Sequence, residues 1–139
     1  MDTVVDALRQ HETLSSTWYM IVWLSAAFLI VNGAAVFVSP ATANRFLDGY
    51  VRSPRINFLE STLRFFAGFG FMGASPDMNL SPLFFWFGAV LTMTAVPMMF
   101  LYGPHKRYAA WAIAFVKRIL SLYGLMSLAL GGLIIWALV

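Results

Sequence analysis

Glu60 and Arg64, one helical turn apart, interrupt an otherwise apolar stretch and are the first residues in this sequence whose types and spacing suit chemistry. A glutamate four residues before an arginine lies beside it on a helix, so the two can neutralise each other. If that helix opens near Ile56, Glu60 lies roughly 6 Å and Arg64 roughly 12 Å along its axis. In lipid such a depth brings Arg64 toward the midplane, where a lone charge costs from about 3 to more than 10 kcal/mol. The pair is therefore either a structural ion pair or a binding or proton-handling site. Asn32, Thr92, Thr94, Tyr123 and Ser127 fall at comparable depth in other apolar stretches. Asn32 and Tyr123 join Glu60 and Arg64 as candidate ligand-binding residues. A polar layer of this kind either ties helices together, at about 0.6 kcal/mol per hydrogen bond, or receives a head group or quinone carbonyl.

Other chemistries lack their residues. There is no cysteine, so thiolate catalysis, disulfides and iron–sulfur ligation are excluded. The two histidines, His11 and His105, fall outside the apolar stretches, which leaves no imidazole there to hold haem or a chlorophyll magnesium. Met93, Met98 and Met99 read as apolar filling, because neighbouring methionines on a helix point in different directions. No metal-binding HExxH, phosphate-cradling glycine loop or nucleophile with a spaced histidine is present, so no catalysis, cofactor or metal is expected.

The elements that must position these residues follow from composition. Of 139 residues 60% are hydrophobic and 11% charged, with a mean hydropathy of +0.77, against roughly one quarter charged in a soluble domain. The expected fold is an all-α integral membrane four-helix bundle with two short interfacial helices. Residues 18–38, 83–103 and 119–139 are uncharged runs long enough to cross about 30 Å of hydrocarbon. Residues 56–74 make the fourth span despite Glu60 and Arg64, since an odd number of crossings would separate the two basic loops. Residues 1–17, acidic rather than basic, form an N-terminal extramembrane segment and not a secretory signal. Residues 18–139 then form a single domain.

Four prolines follow serine, at Pro40, Pro54, Pro76 and Pro82, a pairing suited to opening helices. Pro40 opens a short segment reaching Arg52, with Phe46, Leu47, Tyr50 and Val51 on one side. Gly103-Pro104 precedes a second, residues 108–118, with Tyr108, Trp111 and Phe115 along one side and Lys117-Arg118 marking its end. Pro97 should kink the third span. A shift of 64 residues places Pro40 on Pro104 and Ala67-Gly68 on Gly131-Gly132, suggesting a tandem duplication of a two-span unit. Eight of the nine basic residues sit in or near the two loops that hold the short segments. The positive-inside rule then puts those loops in the cytoplasm and both termini in the periplasm, and it reads the basic residues as topology signals, not nucleic-acid contacts.

Gly70, Ala74, Ser127 and Gly131 have the spacing of small residues that let helices approach, either inside the bundle or against another subunit. Phenylalanines at 65, 66, 69 and 71 pack a core or flank a flat ligand such as a quinone, carotenoid or sterol-like lipid.

Residues 63–70, Leu-Arg-Phe-Phe-Ala-Gly-Phe-Gly, resemble the arginine-led, glycine-rich second helix of small DoxX-like bacterial membrane proteins, and Pro40 with its basic segment resembles the YjeT-like proteins. The likeness covers about residues 28–74. It implies a bacterial inner-membrane four-helix bundle, a link in some relatives to quinone-linked oxidation, and Arg64 as a site residue. Small size, little extramembrane mass, small-residue faces and the lack of a catalytic constellation favour a non-catalytic accessory subunit of a larger membrane complex, in contact with membrane lipids and other subunits; that the complex is an energy-transducing one is a prior expectation and not a reading of the residues. The alternative is a small lipid-, quinone- or solute-handling protein centred on Glu60 and Arg64.

Overall fold

A computed structural model describes residues 2–50 and 52–139, the side chains of Asp2, Leu8 and His11 excepted. Six α-helices are described: α1 (Asp2–Val38), α2 (Pro40–Gly49), α3 (Pro54–Ala74), α4 (Ser81–Phe100), α5 (Tyr102–Arg118) and α6 (Leu120–Leu138). A 3-10 turn, Ser75–Asp77, follows α3. α2, with 10 residues, is short beside α1 and α3, whereas α5, with 17, is nearly as long as α4 and α6, with 20 and 19. Segment 1–17 is not separate from the first apolar run: from Asp2 onward α1 is one helix of 37 residues. Threonine and serine side chains within it bond back to carbonyls one turn earlier, so its polar start stays helical.

The serine–proline pairs work in two ways. Ser53 Oγ accepts the Ile56 amide at 3.3 Å while Pro54 occupies the first helical turn, where its missing N–H is not needed. Ser39 is also an N-cap residue, but its hydroxyl meets Thr42 Oγ1 at 2.8 Å instead of a backbone amide. Ser81 is already inside α4; the cap position falls on Leu80, whose backbone is left-handed with φ 60°. Just before it, Asn79 gives its amide to Ala137 O at 2.8 Å and its side chain to Trp136 O, which satisfies carbonyls at the end of α6.

Three boundaries differ from the sequence expectation. The first short helix ends at Gly49, before Arg52, with Tyr50 already extended; Val51 lies outside the described residues. The third long helix stops at Phe100 and not residue 103, and α5 starts at Tyr102 and not Tyr108. Pro104 explains both, since it has no N–H for the Phe100 carbonyl and fits only in the opening turn of a new helix. The break before α6 falls at Ile119, directly after Lys117 and Arg118.

Packing runs α4 on α3, α3 on α1, and α1 on α6, each pair antiparallel by the residues that meet. Val22, Ala26, Phe71, Ala74, Met78, Phe84, Ile134 and Ala137 form the core, which lies at the end of the molecule holding the Ser75–Asp77 turn. Phe71 stacks on Phe84 at 6.0 Å and meets Phe87 edge-on at 5.1 Å. Phe66 and Phe69 face outward instead, so the phenylalanine run divides between core and surface. At the opposite end α2 and α5 meet through Asp48 and Lys117, 2.5 Å apart.

The small residues of the sequence pattern are spent inside this chain. A Cβ on Gly70 would strike Ile21, and one on Gly131 would lie 2.7 Å from Ile30 Cγ1, both side chains of α1. Ala74 and Ser127 are buried. Of the two readings of these faces, packing inside the bundle is the one seen at Gly70 and Gly131, which α1 covers. The proposed repeat match also divides: Gly68 is clamped against α4, while its counterpart Gly132 has nothing within 4 Å.

Candidate functional site

α3 carries the charged pair, and its position is fixed by a residue the sequence pattern did not flag. Asn57, 1% exposed, donates from Nδ2 to Met98 O at 2.7 Å. That carbonyl belongs to the last turn of α4, which has no intrahelical partner to give it. Asn57 thereby ties the start of α3 to the end of α4. A lone amide among apolar residues three positions before Glu60 was the available signal, because such a side chain must face a polar partner.

One turn further on, Arg64 Nη2 meets Glu60 Oε1 at 3.1 Å. The pair is neither deeply buried nor free in water, with Glu60 18% and Arg64 36% exposed. Both side chains line a cavity of about 700 Å³. Its far wall comes from Leu91, Thr94 and Met98 of α4 and Tyr123 of α6; Tyr50 closes one side, and His105, Ala109 and Ala112 of α5 form the roof. The cavity lies where α4 and α6 make no extended contact, whereas α1 packs on both α3 and α6. α5 itself buries no residue. It covers the cavity without being built into the core.

Electrostatics leave the roof and side neutral. Burial raises the Tyr50 phenol well above its ordinary range, with Glu60 and Tyr123 adding to the effect and Arg64 opposing it, so Tyr50 remains a hydrogen-bond donor. Burial lowers His105 below the usual imidazole value, against Glu60 and with Arg64, which keeps the ring uncharged at neutral pH. A self-neutralised ion pair, two tyrosines and a neutral imidazole thus face an apolar wall of helix α4. Such a lining can take hydrogen bonds to a polar group while the apolar wall covers a hydrocarbon or ring.

The remaining site residues of the sequence reading do not all meet there. Asn32 donates from Nδ2 to Tyr123 Oη, joining α1 to α6 behind the cavity, so Asn32 acts by orienting Tyr123. Thr94 lines the cavity but spends its hydroxyl on Val90 O. Thr92 turns to the α3–α4 seam, where its hydroxyl is buried beside Gly68, and Ser127 is buried in the bundle. The expected polar layer is therefore met in part: Glu60, Arg64, Thr94 and Tyr123 share the cavity with Asn32 bonded to Tyr123, whereas Thr92 and Ser127 do not line it. Among the described residues no group of three or more histidine or carboxylate side chains converges.

Helices α1, α4 and α6 are each long and apolar enough to cross a membrane, while α3, with its charges, falls short of that composition. The chain is an all-α membrane protein with a half-open polar-and-apolar cavity. Comparison with protein-family models, curated proteins and solved structures finds no match.

Proposed function

We propose that this chain is a small four-span membrane protein that binds an amphiphile, of lipid or quinone type, beneath α5, with the ligand's polar end at Glu60, Arg64 and Tyr50. The observation that carries this reading is the cavity of about 700 Å³, in the size range of small-molecule sites, at the gap between α4 and α6. The resemblance to DoxX-like proteins adds a quinone to the candidate ligands through Arg64 alone. No step of catalysis is assigned to it.

In this reading α3 is the fourth span. Its 21 residues would extend about 31 Å, its two interior charges, Glu60 and Arg64, are paired, Arg55 stands in its first turn, and neighbouring helices cover its glycine faces. The element order supports a tandem duplication, with α2 and α5 as interfacial helices on the cytoplasmic face of a bacterial inner membrane. The basic residues cluster at the end that holds α2 and α5, and the opposite end holds both the Ser75–Asp77 turn and the end of α6. Reporter domains inserted at Asp77 and fused after Val139 are expected to read periplasmic, and one inserted at Arg107 cytoplasmic. A cytoplasmic signal after Val139 contradicts this topology.

The binding reading is tested by extracting the chain in mild detergent and identifying bound small molecules by mass spectrometry. A lipid or quinone is expected with the parent and is expected to be lost from Ala112→Phe, which fills the cavity from a helix that buries nothing. The second proposal, a non-catalytic accessory subunit, draws on the outer stripe of Trp86, Met93 and Phe100, exposed at seven-residue spacing on α4, along which a partner helix could lie. A stoichiometric membrane partner that co-purifies, with an empty cavity, favours that reading instead.

A further inference from the structure

A second cavity, of about 420 Å³, lies between α2 and α5 and shares Tyr50 and Ile113 with the first. Arg52, Lys106 and Lys117 line it, against a single carboxylate, Asp48, which is already held by Lys117. Among the described residues Arg52 and Lys106 have no carboxylate partner; Lys106 sits 5.8 Å from the Tyr102 ring centre. The larger cavity, by contrast, carries one positive and one negative charge that cancel. The smaller cavity, with three bases against one carboxylate, is therefore net positive and adjoins the larger one at Tyr50 and Ile113. Its basic residues recur along α5 on the side away from Tyr108, Trp111 and Phe115, whose exposed rings follow one another at 6.0 and 6.2 Å. A helix with one aromatic side and one basic side suits the boundary between acyl chains and anionic headgroups.

We infer that the amphiphile bound beneath α5 is a net-negative, phosphate-bearing lipid, its phosphate held by Arg52 and Lys106, the rest of its polar end at Tyr50, Glu60 and Arg64, and its chain against the α4 wall of the larger cavity. The inference rests on the amphiphile reading above and adds its chemical class. A neutral quinone would leave both cations without a counter-charge, whereas a phosphate supplies one, and the protonated Tyr50 at the junction can donate to it.

The test is binding of phosphatidylglycerol and of phosphatidylcholine with identical chains to the full chain in neutral detergent, followed by native mass spectrometry. The parent is expected to prefer phosphatidylglycerol by about 30-fold, the equivalent of two basic residues at about 1 kcal/mol each. Arg52→Gln with Lys106→Gln should abolish the preference yet keep phosphatidylcholine binding. Ala114→Trp, which fills the smaller cavity from an exposed position, should do the same. Arg45→Gln with Arg107→Gln removes equal charge from exposed positions outside the cavity and should leave the preference intact. Equal loss in that control would reduce the effect to diffuse surface charge and overturn the inference. Equal binding of the two lipids by the parent would overturn it too, while leaving the amphiphile reading in place; failure of the parent to bind either lipid would overturn it and leave the amphiphile reading with a quinone alone. Displacement of phosphatidylglycerol by inorganic phosphate at equal concentration would assign the cavity to a free anion and likewise overturn it.

Discussion

Gly68→Ala is expected to destabilise the protein by about 1–3 kcal/mol, although alanine is the better helix former by about 1 kcal/mol. The added Cβ would strike Thr92 Oγ1 and lie 2.6 Å from Gly88 O and 2.8 Å from the Thr92 amide nitrogen. Two of those atoms are backbone and cannot rotate away, so α3 and α4 would have to separate along their closest contact. Close packing is what holds helices together in lipid, where no hydrophobic force drives their association. Gly132→Ala is the matched comparison, because nothing lies within 4 Å of the Cβ it would add. It should be neutral or slightly stabilising through helix propensity alone. Thermal unfolding in one detergent decides the matter. A Gly68→Ala protein as stable as Gly132→Ala would show that α3 and α4 are not in this contact.

The second large effect concerns the ion pair. Arg64→Leu alone should cost about 1–3 kcal/mol, since it strands the Glu60 carboxylate, mostly buried, without its cationic partner. The cost stays below that of a fully buried pair because Glu60 is 18% exposed and can recruit water. Glu60→Leu combined with Arg64→Leu should return most of that stability, because no uncompensated charge is left, and should still lose the bound amphiphile. Unfolding midpoints of the two variants, read beside the ligand content of the double variant, separate scaffold from site. If the single and double changes are equally mild, the pair is simply hydrated at the surface. If the double variant keeps its ligand, Glu60 and Arg64 do not hold the ligand's polar end.

Local chemistry made several features legible in the sequence. The helical content, the long runs at the positions of α1, α4 and α6, the serine–proline entry to α3 and the break after Lys117-Arg118 follow from apolar length, proline's missing N–H and flanking charge. The spacing of Glu60 and Arg64 was enough to pair them, because four residues are one turn whatever surrounds the helix. Segment 1–17 was harder to read, since its serines and threonines signal a cap or loop as readily as a helix in which they bond to the preceding turn. The α4–α5 boundary was also misplaced, because hydropathy runs on to Gly103 although hydrogen bonding stops at Pro104.

What the sequence determined by itself is the set of helices, the membrane-compatible composition and the Glu60–Arg64 pair, all set within one or two turns of chain. Only the tertiary structure decided where each face went. It spent Gly70 and Gly131 on α1, joined Asn32 to Tyr123 across 91 residues, and set Asn57 on the end of α4. It also left α4 and α6 apart beneath α5, where the cavity lies. The physical reason is that helical periodicity names the residues sharing a face, whereas the neighbour of that face depends on side-chain shapes contributed by helices distant in sequence.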